Sequence, residues 1–151
     1  MNDTPDTSGG LGGPSKFYTF AAAGLAAVGL ADSAYLTAKH FSGGDVPCSI
    51  ISGCEAVLTS AYAEIYGIPT AAFGAAAYFA AFSLALLTIY GNAKLWNLLG
   101  ALTVVMAAVT VWLVYLQAFV IGSFCQFCIL SALTTTLLLI TFLASRFLGK
   151  R

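Results

Sequence analysis

Residues 123–147 read SFCQFCILSALTTTLLLITFLASRF, and this stretch decides the fold. From Cys125 to Phe147 the run is apolar or hydroxyl-bearing apart from Gln126 near its head and its one charged residue, Arg146, at the far end. A helix rising 1.5 Å per residue needs about 20 residues to cross a bilayer's hydrocarbon, so this segment spans. Its head carries a Cys-x-x-Cys, which puts two thiols at the membrane boundary.

Three more segments of span length lie upstream: Phe17–Lys39, Pro69–Tyr90 and Lys94–Val120. The 151 residues are 60% hydrophobic and 8% charged, with a mean hydropathy of +0.91. Soluble domains carry roughly 25% charged residues. The expectation is an all-α membrane protein, a four-transmembrane-helix bundle forming one domain over 16–151. Residues 1–15 (MNDTPDTSGGLGGPS) hold no apolar run and predict a disordered cytoplasmic tail. No cleaved signal peptide is expected, because the first apolar run has full span length and no basic region precedes it. There is no repeat of 20–50 residues, and with zero formal net charge no basic patch invites nucleic acid.

Six basic residues set the topology. With both termini cytoplasmic, Lys16, Lys94, Arg146, Lys150 and Arg151 fall inside and Lys39 alone outside, following the positive-inside tendency. Cys48, Cys54, Cys125 and Cys128 then share the external face, where disulfides persist. Buried cysteines acting as small hydrophobes explain two exposed pairs poorly.

The loop His40–Ile68 holds a further pattern. Val57, Leu58, Ala61, Tyr62 and Ile65 form an apolar stripe at helical spacing, opposite Glu55, Thr59, Ser60 and Glu64. This predicts a short amphipathic helix in the first external loop, ended by Gly67-Ile68-Pro69 with Pro69 in the first turn of the next span. Ser52-Gly53-Cys54-Glu55 and Ser123-Phe124-Cys125-Gln126 both match a capping box. Each would set a cysteine at the second helical position, near unpaired N–H groups that favour the thiolate; Glu55 opposes this at Cys54.

The two pairs suggest two jobs. Cys125 and Cys128 have the spacing of a redox-active dithiol at a helix start, while Cys48 and Cys54 can close a flexible loop disulfide. A Cys₄ zinc cage fits less well, since structural zinc sites favour shorter spacing in both arms. The loop pair suits a water-soluble thiol protein. The boundary pair suits a lipid-soluble acceptor, for which quinone, a two-electron carrier, is the natural candidate. Phe73, Phe124 and Phe127 are candidates to pack against its ring, although ordinary lipid or core packing explains each equally well alone.

In these segments the chain resembles the vitamin K epoxide reductase (VKOR) family. The resemblance rests on Cys48-x5-Cys54-Glu55-Ala56-Val57-Leu58-Thr59-Ser60, on Tyr66-Gly67-Ile68-Pro69 with Phe73-Gly74, and on Cys125-Gln126-Phe127-Cys128-Ile129-Leu130-Ser131-Ala132. Gly29-Leu30 and Ser33-Ala34-Tyr35-Leu36 extend it into the first span. The DsbB family has similar chemistry with the two cysteine pairs in the opposite order. The resemblance implies a relay that supports disulfide bond formation. Cys48 and Cys54 would oxidise a separate thioredoxin-like, DsbA-like partner, with Cys48 as the point of attack. Cys54 would then attack the Cys125–Cys128 disulfide at Cys125, and Cys128 would face the quinone, ubiquinone or menaquinone. Ser60 would help position the loop or the site by hydrogen bonding, and Ser60 and Thr70 are candidates to contact the quinone. Vertebrate members carry a quinone-contacting Asn where this chain has Thr70, and a Tyr where it has Ala132; both differences count against vitamin K epoxide reduction. The expected setting is the bacterial inner membrane, as a stand-alone homologue without a fused thioredoxin-like domain.

Among polar residues in the spans, Asp32 is the one carboxylate. It is a candidate for proton delivery or for an interfacial hydrogen bond. Gln117 is a candidate to bind a quinone carbonyl or bridge helices, and His40 reads as a solvated loop residue. Gly24, Gly29, Gly74 and Gly100 read as close helix packing. The competing function is a soft-metal carrier of the mercuric type using cysteine pairs as ligands. A carrier should hold a pair within or across the membrane, whereas both pairs here map to one face.

Overall fold

The computed structural model describes residues 13–148. The elements run α1 (Lys16–Ser42), α2 (Cys54–Leu58), β1 (Glu64–Ile65), β2 (Ile68–Pro69), α3 (Thr70–Ile89), α4 (Lys94–Tyr115) and α5 (Gln126–Phe147). A six-residue π-helical segment, Leu116–Ile121, continues α4. Among the described residues four helices are long and apolar enough to cross a membrane: α1, α3, α4 with its π-helical extension, and α5. The expected spans match these closely. Most of the expected tail, residues 1–12, lies outside the described residues, as do Lys150 and Arg151.

The four long helices close a ring in which α1 packs on α3 and α5, and α4 packs on the same two. Small residues let the backbones approach: Ala22, Ala23 and Ala26 of α1 meet Ala81 and Ala85 of α3, all buried. Gly29 and Gly100 do the same for two aromatic rings, since a Cβ at either would overlap Tyr78 or Phe142 respectively. Gly74 lies beside Ser33. Gly24, expected at a packing contact, is instead exposed with open space beside it, so it faces outward.

Large apolar side chains cover the outside of the bundle, among them Val104, Val105, Leu133 and Ile140. In water such a surface would drive aggregation; in lipid it is the solvent-facing side. This is a multi-pass membrane bundle. At the end opposite the cysteines, the Trp96 indole N–H donates to Ser145 Oγ at 2.8 Å and Arg146 Nη1 donates to Asn97 Oδ1 at 3.0 Å, tying α4 to α5.

The loop after α1 departs from the sequence expectation in detail. The amphipathic helix exists, with Cys54 and Val57 buried and Glu55 exposed, but it stops at Leu58. Thr59 is its C-cap, and the Thr59 and Ser60 hydroxyls donate to the carbonyls of Glu55 and Val57, each at 2.7 Å; beyond them Thr70 takes the carbonyls of Tyr62 and Ala63. Ala61, Tyr62 and Ile65 consequently leave the helical stripe and are exposed. A two-residue hairpin follows, pairing Glu64 with Pro69 and Ile65 with Ile68. Its turn residues Tyr66 and Gly67 have φ of 53° and 78°, the doubly positive pattern of a tight type I′ turn. Pro69 is the extended N-cap of α3, not a first-turn residue.

Candidate functional site

All four cysteines meet at the end of the bundle where α1 stops and α5 begins. Cys48 and Cys54 are joined as a disulfide with Cα atoms 6.2 Å apart, and Cys125 and Cys128 are free thiols. Cys54 and Cys125 are fully buried in one apolar cluster with Val57, against which Cys48, Ile121, Phe127 and Cys128 pack. Cys48 keeps partial exposure. Each pair therefore has one buried and one partly exposed member, and the buried members share one apolar cluster.

Backbone contacts set this arrangement. Gly53, just before Cys54, lies against Phe124, just before Cys125: a Cβ added at Gly53 would stand 2.6 Å from the Phe124 carbonyl oxygen. The Ile50 N–H donates to Gln126 Oε1 at 3.1 Å, fastening the loop to the start of α5. The buried Cys125 N–H donates to Gln117 Oε1, also at 3.1 Å. Gln117 is carried inward by the π-helical segment, a local widening common at functional sites, which ends at Gly122 in the left-handed region (φ 69°). Gln117 thus serves as a bridge, one of its two expected uses.

Neither capping box forms. The N-cap of α2 is Gly53 and that of α5 is Cys125, and no side chain caps either. Gln126, needed to close the second box, is turned to Ile50, and Gln117 has taken the Cys125 N–H. Cys54 is accordingly the first residue of its helix and Cys125 the residue before its own. Cys125 is nonetheless activated. Its thiol is lowered from the usual 9.0 to about 7, chiefly by a hydrogen bond from the Cys128 thiol, with help from the N–H groups of Cys128 and Phe127. Burial and the more distant Asp32 carboxylate oppose this lowering.

A cavity opens beside Cys128, between α1, α3, α4 and α5, with about 940 Å³ of empty space including its mouth. Its wall is largely apolar, and Asp32, Ser60, Thr70, Gln117, Cys128 and Ser131 supply polar groups. Of the residues expected to contact a quinone, Ser60, Thr70 and Cys128 line it. Phe73, Phe124 and Phe127 are not among its lining residues. Phe73 and Phe124 are substantially exposed, and Phe127 packs on Tyr35 with ring centroids 5.4 Å apart. The Ser60 and Thr70 hydroxyls are engaged by backbone: Ser60 with Val57 O, and Thr70 with Tyr62 O at 3.1 Å and Ala63 O at 2.9 Å. Both hold the loop that roofs the cavity.

Two features escaped the sequence reading. His40 belongs to the last turn of α1, not to a solvated loop; its Nε2 lies 3.1 Å from Glu64 Oε1, and it lines the cavity. Tyr78 reaches across the bundle from α3 to α5, donating to the Ser131 carbonyl at 2.8 Å with Thr135 Oγ1 2.7 Å away. The pairing of Gly29 with Tyr78 follows from helical facing across two spans, which no spacing within one segment reveals.

The Vitamin K epoxide reductase family model matches residues 20–143, a stretch that contains the whole cysteine cluster and every residue lining the cavity. On that match the chain belongs to the Vitamin K epoxide reductase family and is a membrane thiol–disulfide oxidoreductase.

Proposed function

We propose that this protein oxidises the dithiol of a separate thioredoxin-like, DsbA-like protein and passes the electrons to a membrane quinone. In this reading the cysteine end of the bundle faces the periplasm of a bacterial inner membrane, with both termini cytoplasmic. The net reaction is partner dithiol plus quinone giving partner disulfide plus quinol. The observation that carries it is the single cluster joining both cysteine pairs to a cavity that Cys128 lines.

Accessibility orders the steps. Cys48 is the sulfur a partner thiolate can reach, because Cys54 is fully buried. Attack there releases the Cys54 thiolate inside the cluster, beside Cys125. With Cys125 and Cys128 oxidised, Cys54 attacks Cys125 and frees Cys128 toward the cavity. The partner's second thiol frees Cys48, which attacks Cys54, restores the Cys48–Cys54 disulfide and releases Cys125. The Cys125–Cys128 dithiol then gives two electrons and two protons to the quinone, through Cys128, as its own S–S bond re-forms. Each 30 mV by which the acceptor is more oxidising than the partner contributes about 1.4 kcal/mol for the two-electron step.

The cavity suits the head of a quinone. Its walls are mainly apolar with a few polar groups among them, the usual make-up of a small-molecule site. Ser60 and Thr70 would fix the roof and Gln117 the Cys125 turn. The soft-metal alternative is less well supported, since the Cys48–Cys54 disulfide leaves two thiols for a metal.

The test incubates purified wild type and Cys128→Ala with a reduced thioredoxin-like partner and a soluble quinone, following quinone absorbance. Turnover by wild type that Cys128→Ala abolishes is expected. Absence of quinone reduction by wild type with every reduced partner or small dithiol would overturn the reading.

A further inference from the structure

Asp32 has no evident structural reason to be where it is. It stands about 15 Å below the cysteine-end terminus of α1 at 1.5 Å per residue, and is only 7% exposed. Neither carboxylate oxygen has a hydrogen-bond partner among the described residues. A buried carboxylate without a partner is costly, the more so at membrane depth, and nothing in the packing compensates. Its side chain instead lines the cavity that Cys128 lines.

Quinone reduction is the kind of chemistry that gives such a group a use. We propose that Asp32 is a catalytic proton carrier that hands a proton to the quinone oxygen as Cys128 delivers electrons, an inference that rests on the thiol-to-quinone reading above. The balance closes without an outside reagent. Cys125 and Cys128 together surrender two electrons and two protons, and one S–S bond forms. Asp32 gives its O–H proton to one ring oxygen and regains a proton from the dithiol; the other dithiol proton completes the quinol at the second oxygen. The carboxyl is unchanged over the cycle.

The other ionisable groups around the cavity have different positions or partners. His40, also on α1, stands about 12 Å nearer the helix end and is paired with Glu64. Tyr78 of α3 is committed to Ser131 and Thr135. Tyr62 belongs to the loop, and the α4 residues lining the cavity, Thr110, Leu113 and Val114, carry no ionisable group. Asp32 is the carboxyl placed to serve a ring held against Cys128.

Asp32→Asn and Asp32→Glu test this, with wild type run in parallel. Asp32→Asn should slow quinone reduction at least tenfold, while single-turnover transfer from a reduced partner to the oxidised Cys125–Cys128 pair stays within twofold of wild type. Asp32→Glu should recover much of the loss. In unmodified protein, an apolar carbodiimide should label Asp32, as mapped by mass spectrometry, and a soluble quinone should protect it; this readout requires neither a variant nor turnover. Wild type that reduces no quinone would defeat the underlying reading. Wild-type rates in Asp32→Asn, or labelling that quinone does not affect, would overturn the role of Asp32 alone.

Discussion

Gly53 and Phe124 meet backbone to backbone, with room for a hydrogen on the Gly53 Cα and none for a methyl. Each residue immediately precedes a cysteine of a different pair. The contact therefore fixes how closely the turn before Cys54 can lie against the turn before Cys125, and disulfide exchange demands such closeness because one sulfur must attack another along a defined line.

Gly53→Ala should uncouple the pairs. The added Cβ would press on the Phe124 carbonyl and amide, which are backbone and cannot rotate away, so overpacking of about 1–3 kcal/mol must be relieved by separating the turns. Partner-driven quinone reduction should fall at least tenfold. Reduction driven by a small dithiol that reaches Cys125–Cys128 directly should change less than threefold. Equal losses in the two assays would show that Gly53 does not govern the handover.

Gln117→Leu should strike the same turn from the other side. The buried Cys125 N–H would lose its acceptor, and a stranded buried amide costs about 1–3 kcal/mol. The thermal midpoint in detergent should drop. Gln117→Glu keeps an acceptor oxygen and should recover part of that stability, while its negative charge near Cys125 raises the thiol back toward the ordinary range. Stability equal to wild type in Gln117→Leu would remove the bridge from the account.

The spans were legible because lipid imposes a simple rule: a helix must satisfy its own backbone and stay apolar for about 20 residues, and residues 126–147 do so without ambiguity. The placement of the cysteines at one end followed from where those spans begin and stop. The irregular parts were hidden for a physical reason. Thr59 and Ser60 carry the same apolar-to-polar rhythm as a helix, yet the chain leaves the helix there, and Thr70 takes the carbonyls of Tyr62 and Ala63 that a longer helix would use. Likewise, Ser123 and Gln126 spell a cap, but Gln117 at the end of the preceding helix and Ile50 in the first loop claim the groups that the cap would use. Local pattern predicted local structure until a tertiary hydrogen bond offered the same group a better partner.

Tyr78 and Gly29 offer a test of the bundle that leaves the cysteines alone. Tyr78→Phe removes the hydroxyl that joins α3 to Ser131 and Thr135 and should cost about 1 kcal/mol, since both hydroxyls can turn to carbonyls of their own helix. Gly29→Ala drives a methyl into the Tyr78 ring and should cost more, about 1–3 kcal/mol. The double variant should be less than additive if the ring shifts more freely once its hydroxyl is gone. Thermal unfolding of the four proteins in one detergent decides this, and strict additivity would mean that the hydroxyl does not hold the ring in place.

Cys125 provides the pH prediction. Its thiol is held at about 7, and the largest cause is the hydrogen bond received from the Cys128 thiol. A lowered pKa means that the thiolate gains below the ordinary thiol range, so it should be scarce near pH 5, about half populated near pH 7 and dominant by pH 8. With Cys48 and Cys54 oxidised and the second pair reduced, ultraviolet thiolate absorbance should rise with a midpoint near 7. Cys128→Ala removes the donating thiol while burial continues to disfavour charge, so the midpoint should move up toward 9.0. Glu55 lies on the exposed face of α2, and Glu55→Gln should leave the midpoint in place. A midpoint that stays near 7 in Cys128→Ala would shift the credit to the N–H groups of Phe127 and residue 128 at the start of α5; a wild-type midpoint near 9 would mean that Cys125 is not activated by its neighbour.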